Sequence, residues 1–132
     1  AIMSEYDFFV AHLRFVATRT ARDNPDVTEM VDQLQRIADA VENTGGFAVP
    51  ANKLKTAGRA LAGLSGFLQQ QILPEIIAAG NANGERQVRW VIDTSMNIMT
   101  TLLARAEAPG TNDASESSVF KLPPPPLPII TA

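Results

Sequence analysis

Residues 24–46 read NPDVTEMVDQLQRIADAVENTGG. Asn24 is a good N-cap residue, and Pro25 suits the first helical position, where its missing amide hydrogen is no loss. Val27, Met30, Val31, Leu34, Ile37, Ala38 and Val41 then recur at the spacing of one helix face. Glu29, Asp32, Arg36, Asp39 and Glu42 fall on the opposite face. Gly45-Gly46 ends the pattern, as expected where a helix needs a residue tolerant of the left-handed backbone. The stretch is an amphipathic helix whose apolar face must be covered by other helices.

Three further helical segments lie around it. The first is expected from about Ser4 to Arg22, with Ser4 and Asp7 in a capping pattern. Tyr6, Phe9, Val10, Leu13, Val16 and Ala17 form its main face, and Phe8, His12 and Phe15 form a stripe beside it. A helix apolar on two sides touches two neighbours. The third follows Val49-Pro50, with Lys53, Lys55 and Arg59 early and no charge over residues 60–74, ALAGLSGFLQQQILP. Leu61, Leu64, Leu68 and Ile72 mark its main face, while Gly58, Ala62 and Gly66 recur every fourth residue on another. Glycine costs about 1 kcal/mol against alanine inside a helix, so the three glycines Gly58, Gly63 and Gly66 need an offsetting gain, such as close approach of a neighbouring helix or of the chain's own tail. Pro74 should kink or divide this helix. After the turn GNANGE at 80–85, a fourth helix runs from about Asn83 to Ala108. Its inner face is Val88, Val91, Ile92, Ser95, Ile98, Met99, Leu102 and Ala106, and Pro109-Gly110 stops it.

The expected fold is therefore all-α: an antiparallel bundle of four helices, five if Pro74 splits the third, with an extended proline-rich C-terminal arm. Residues 1–110 are the bundle domain, 111–118 (TNDASESS) a polar linker and 119–132 an apolar polyproline arm. No strand and no internal repeat are expected.

Composition fits this picture. The chain has 132 residues, 45% of them hydrophobic and only 6% aromatic, so one core built mainly of aliphatic side chains is expected. A net charge of −3 argues against a dedicated nucleic-acid binder. The absence of cysteine rules out disulfides and thiolate chemistry. The opening AIMSEYDFF has acidic residues where a secretory signal would have basic ones, and no run of apolar residues is long enough to span a membrane. A cytoplasmic protein is expected.

The arm, VFKLPPPPLPIITA, is unlike a solvated tail. It is apolar, with Lys121 its one charge, whereas disordered segments are polar. Four consecutive prolines favour polyproline II, which rises about 3.1 Å per residue. Residues 119–132 can therefore span roughly 40 Å, as long as a helix of about 26 residues. The arm is expected to dock, either on its own helices or on another subunit, with Phe120, Leu122, Pro124, Leu127 and Ile129 making the contacts. Gly58, Ala62 and Gly66 are expected to form the surface that the arm or another helix approaches. An SH3-like partner is less well supported, because Lys121 is the only basic residue beside the prolines.

Sites for chemistry are few. His12 is the single histidine, with Arg14 close by, and a histidine phosphotransfer role is an alternative. The lysine and glycine that follow the histidine in such domains are missing from AHLRFVATR, and Phe8 and Phe15 suggest a packed imidazole. One histidine cannot supply the paired Glu-x-x-His motifs of a di-iron bundle, so neither metal nor cofactor is expected. Glu75 and Asp93 interrupt apolar runs and could pair with Arg89 or Arg59. GLSGF around Ser65 has its last glycine one place early for a nucleophile elbow and lacks the strand before it. Arg14, Arg19 and Arg22 with Lys53, Lys55 and Arg59 could form one basic surface, but the second helix is too acidic to read DNA. The reading that follows is a non-enzymatic protein that self-associates, with a dimer favoured, and acts in assembly, scaffolding or protein–protein contact. A small-molecule or phosphoryl-handling site at His12 is the alternative.

Overall fold

A computed structural model describes residues 6–108 and 117–126. It is mostly helical, with a small two-stranded sheet. In chain order the elements are α1 (Asp7–Arg19), α2 (Pro25–Thr44), β1 (Gly46–Pro50), a 3-10 turn (Ala51–Lys53), α3 (Leu54–Phe67), a π-helical segment (Leu68–Ile72), α4 (Leu73–Ala78), α5 (Ala82–Glu107) and β2 (Ser117–Lys121).

Local chemistry sets the boundaries. The Asn24 side chain accepts from the Asp26 amide at 2.8 Å and opens α2. Gly45, at φ 76°, closes it, with its amide bonded to Val41 O. Asn81 caps α5 in the same manner, accepting from the Gly84 amide at 2.8 Å. The α1 helix stops at Arg19, short of the expected Arg22, with Thr20 in an extended conformation. Ser4, and with it the expected cap of α1, lies outside the described residues, as do Pro109 and Gly110.

The apolar faces meet in one core. Phe9, Leu13, Val31, Val41, Leu61, Leu64, Leu68, Val88, Val91 and Leu102 are almost completely buried. Contacts between α3 and α5 progress from Gly58 beside Leu102 and Leu103 to Gln69 beside Met96, so these two helices run in opposite directions. Arg14 of α1 meets Asp39 and Glu42 of α2, and Val16 and Thr20 share an apolar recess with Val27, Met30, Val31 and Leu34, so α1 and α2 are also opposed.

Pro74 does not break the third helix. A proline in an α-helix cannot donate to the carbonyl four residues back, and its ring clashes there. Here the helix widens before the proline: the Leu73 amide bonds to Leu68 O, five residues back. The inserted π turn lets the chain pass through Pro74 into α4 without a break.

The expectation of no strand is corrected. β1 and β2 pair antiparallel in the register Gly46↔Lys121, Phe47↔Phe120, Ala48↔Val119, Val49↔Ser118 and Pro50↔Ser117. Phe47 and Val49 are buried while Ala48 and Pro50 are exposed. This is the alternation of a half-buried strand, but over five residues with a glycine and a proline at the ends it is too short to stand out in sequence. β2 starts at Ser117, ahead of the expected arm boundary at Val119.

The glycine stripe divides. A Cβ on Gly58 would sit 2.7 Å from Leu103 Cδ2 and 2.9 Å from its Cγ, whereas Cβ atoms on Gly63 and Gly66 would meet nothing within 4 Å. Gly58 is there for close packing of α5; Gly63 and Gly66 carry only the propensity cost. Gly58→Val should lower the urea midpoint. Gly63→Ala and Gly66→Ala should each raise stability by about 0.5–1 kcal/mol.

Candidate functional site

The C-terminal segment is the feature most distinct from an ordinary helical protein, and its seat is built by the start of α1, the end of α2, β1 and α5. Gly45 ends α2 and turns the backbone so that Gly46–Pro50 runs out as β1. The Leu122 amide then donates to Gly45 O at 3.1 Å, which extends the ladder one pair past the strand. The Tyr6 hydroxyl donates to Leu122 O at 3.3 Å. Leu122 itself is 3% exposed and part of the core. Behind it Phe120 stacks on Phe47 at 5.4 Å, with the Arg105 guanidinium 5.6 Å from the Phe120 ring. Ahead of it Gln87 Nε2 donates to Pro126 O at 3.0 Å. Phe120 therefore lies by Arg105 near the end of α5, and Pro126 by Gln87 near its start. The segment runs back along α5 on its own chain.

The expected contact residues separate accordingly. Leu122 is buried, Phe120 is half-buried and Pro124 is exposed. Leu127 and Ile129 lie outside the described residues. Gly58 is buried, but against Leu102 and Leu103 of α5, while Ala62 and Gly66 are half-buried and the Gly66 site is open. The segment and the glycine stripe are not brought together by any of these contacts. Tyr6, Gly45 and Gln87, which hold the segment, carry no sequence signal for that role; only the apolar character of Leu122 pointed to an anchor.

His12 is half-buried on α1. Its Nδ1 lies 2.9 Å from Phe8 O; a carbonyl can only accept, so Nδ1 carries the proton. The ring packs 4.4 Å from that of Phe8. Beside it is an apolar recess of about 270 Å³ lined by Ala11, His12, Phe15 and Ile72. Arg14 points away to α2, at 2.8 Å from Asp39 and 2.6 Å from Glu42. The hydrogen bonds to Asp39 and then Glu42 raise its pKa above the usual arginine value. Arg14 is thus committed elsewhere and does not flank the imidazole as an anion-binding group.

The other charged residues are placed differently from expectation. Arg89 pairs with Glu85 one turn back at 2.9 Å, rather than with Glu75 or Asp93, because an acid placed before a base at this spacing is the favoured helical orientation. Lys53 bonds to Glu29 at 3.4 Å, and the Arg19 guanidinium lies 5.2 Å from the Phe15 ring. These contacts, with those of Arg14, engage three of the six basic residues expected to share a surface. Among the described residues, no helix is long and apolar enough to cross a membrane. Comparison with protein-family models, with curated proteins and with solved structures gives no match.

If the segment closes the core as its contacts indicate, Leu122→Ala should cost about 2–5 kcal/mol, read in urea by the fluorescence of Trp90, which packs against Tyr6 and Phe9. Pro124→Ala, at an exposed position, should change stability by no more than about 0.5 kcal/mol.

Proposed function

We propose that this is a non-enzymatic helical bundle that self-associates and acts through protein–protein contact, with the proline-rich arm docking on its own helices and presenting a strand to a second copy. The observation that carries this reading is Val119. It is 76% exposed on β2, and among the described residues β2 pairs only with β1.

The register makes the free edge self-complementary. In an antiparallel pair, alternate residues turn their backbone groups toward the partner and away from it. The bond from Leu122 N to Gly45 O sets the phase: 45/122, 47/120 and 49/118 are the bonded pairs. Ser117, Val119 and Lys121 then direct their N–H and C=O groups outward. Two copies of β2 meeting antiparallel with Val119 opposite Val119 would align outward groups with outward groups, with Ser117 opposite Lys121. The pairing is isologous, so it closes as a dimer and does not propagate. A strand edge with an exposed valine is otherwise a liability that proteins cover or charge.

The alternative centred on His12 is supported in one respect. The recess beside the imidazole is apolar, which suits a small hydrophobic molecule; the commitment of Arg14 to α2 speaks against phosphoryl transfer.

Light scattering after size-exclusion should give twice the chain mass for the full chain and the single-chain mass for Val119→Asp, which puts like charges opposite each other, with the two melting alike once dissociated. A full chain that is monomeric at every concentration, or a Val119→Asp variant that still dimerises, would remove the basis for this reading.

A further inference from the structure

A separate cleft of about 400 Å³ lies between the π segment, α4 and α5, lined by Gln69, Leu73, Arg89, Ile92, Asp93 and Met96. Its floor is apolar: Leu73, Ile92 and Met96. The inserted π turn sets Gln69 and Leu73 on one wall, and such turns are frequent at binding sites. Across from them stands α5.

The polar groups have an uneven balance. Arg89 is drawn back to Glu85 through its Nε, and this leaves Asp93 without an ion pair among the described residues. The Gln69 amide nitrogen is committed to Ser65 Oγ at 3.1 Å and Met96 Sδ at 3.4 Å, so its free atom toward a ligand is the carbonyl oxygen, an acceptor. The Arg89–Glu85 pair is neutral as a whole, so Asp93 is the uncompensated charge of the lining. The cleft thus offers a carboxylate and a carbonyl acceptor above a hydrocarbon floor.

We propose that this cleft binds an alkylammonium group, its cationic nitrogen on Asp93 and Gln69 and its methylene stem on Leu73, Ile92 and Met96. The carboxylate gives a charge-assisted hydrogen bond, and the stem removes apolar surface from water. The same group is presented by a free aliphatic amine and by a lysine side chain of another protein.

Amide chemical shifts of the full chain, followed on addition of n-hexylammonium chloride, test this. Saturable shifts are expected at Gln69, Leu73, Ile92, Asp93 and Met96. Hexan-1-ol, which has the stem without the charge, should bind about tenfold more weakly. Asp93→Asn should weaken the amine by about the same factor and leave hexan-1-ol unchanged. Asp93 is exposed, so the substitution leaves the core intact. Blocked N-acetyl-lysine amide separates the sources: binding as tight as the amine's assigns the cleft to a lysine side chain, and binding of the free amine alone assigns it to a small molecule. The proposal is overturned if neither ammonium compound gives saturable shifts at these residues, or if Asp93→Asn binds the amine as tightly as the parent chain.

Discussion

Leu122 joins the two ends of the chain. Its side chain is in the core, its amide bonds to Gly45 O and its carbonyl accepts from Tyr6, more than a hundred positions earlier in sequence. The entropic cost of closing so long a loop grows only slowly with its length, so a buried leucine and two hydrogen bonds weigh heavily against it. Other features follow from this anchor. β1 gains a partner for its backbone groups, Phe47 gains the ring of Phe120, and the segment beyond Leu122 is directed along α5 to Gln87. Without it, β1 would lose the strand on its edge and the Tyr6 hydroxyl would lose this acceptor.

Close packing of helices is the second constraint. Gly58 has no room for a Cβ beside Leu103, so the α3–α5 distance at that level is set by a hydrogen atom in place of a methyl group. Farther along, the same pair of helices meets the problem of Pro74, and the π turn at Leu68–Ile72 absorbs it. The two solutions have opposite effects on shape. Gly58 draws the helices together, and the π turn coincides with a cleft between them. Packing therefore accounts for where the molecule is closed and where it is open.

The helices were legible in the sequence because each carries a long periodic face. The positions read as inward on α1, α2, α3 and α5 are buried or half-buried almost throughout, and Asn24 and Gly45 mark the ends of α2 correctly, while only the first two residues of GNANGE precede α5, which begins at Ala82. Strand β1 was not legible. Its alternation has only Phe47 and Val49 on the inner face, its ends are glycine and proline, and its partner lies some 70 residues away. Within the chain the glycine stripe divides, with Gly58 against α5 and Gly66 open, because equal spacing in sequence does not tell which of Gly58, Ala62 and Gly66 faces a neighbour. The pairing of Arg89 with Glu85, and not with Asp93, follows from helical orientation and could have been read from the i,i+4 order. The C-terminal segment is held by one backbone acceptor, Gly45 O, and by two ordinary side-chain donors, the Tyr6 hydroxyl and Gln87 Nε2, and nothing in their residue types marks them as its partners.

Residues 117–126 are an integral part of the folded chain. The measurement of choice is native-state hydrogen exchange at the Leu122 amide, since that N–H bonds across the chain to Gly45 and belongs to no helix. Protection close to that of core helix amides such as Leu64 is expected, lost only as the whole molecule opens. Exchange at the rate of an unstructured peptide, with the helices still protected, would contradict it.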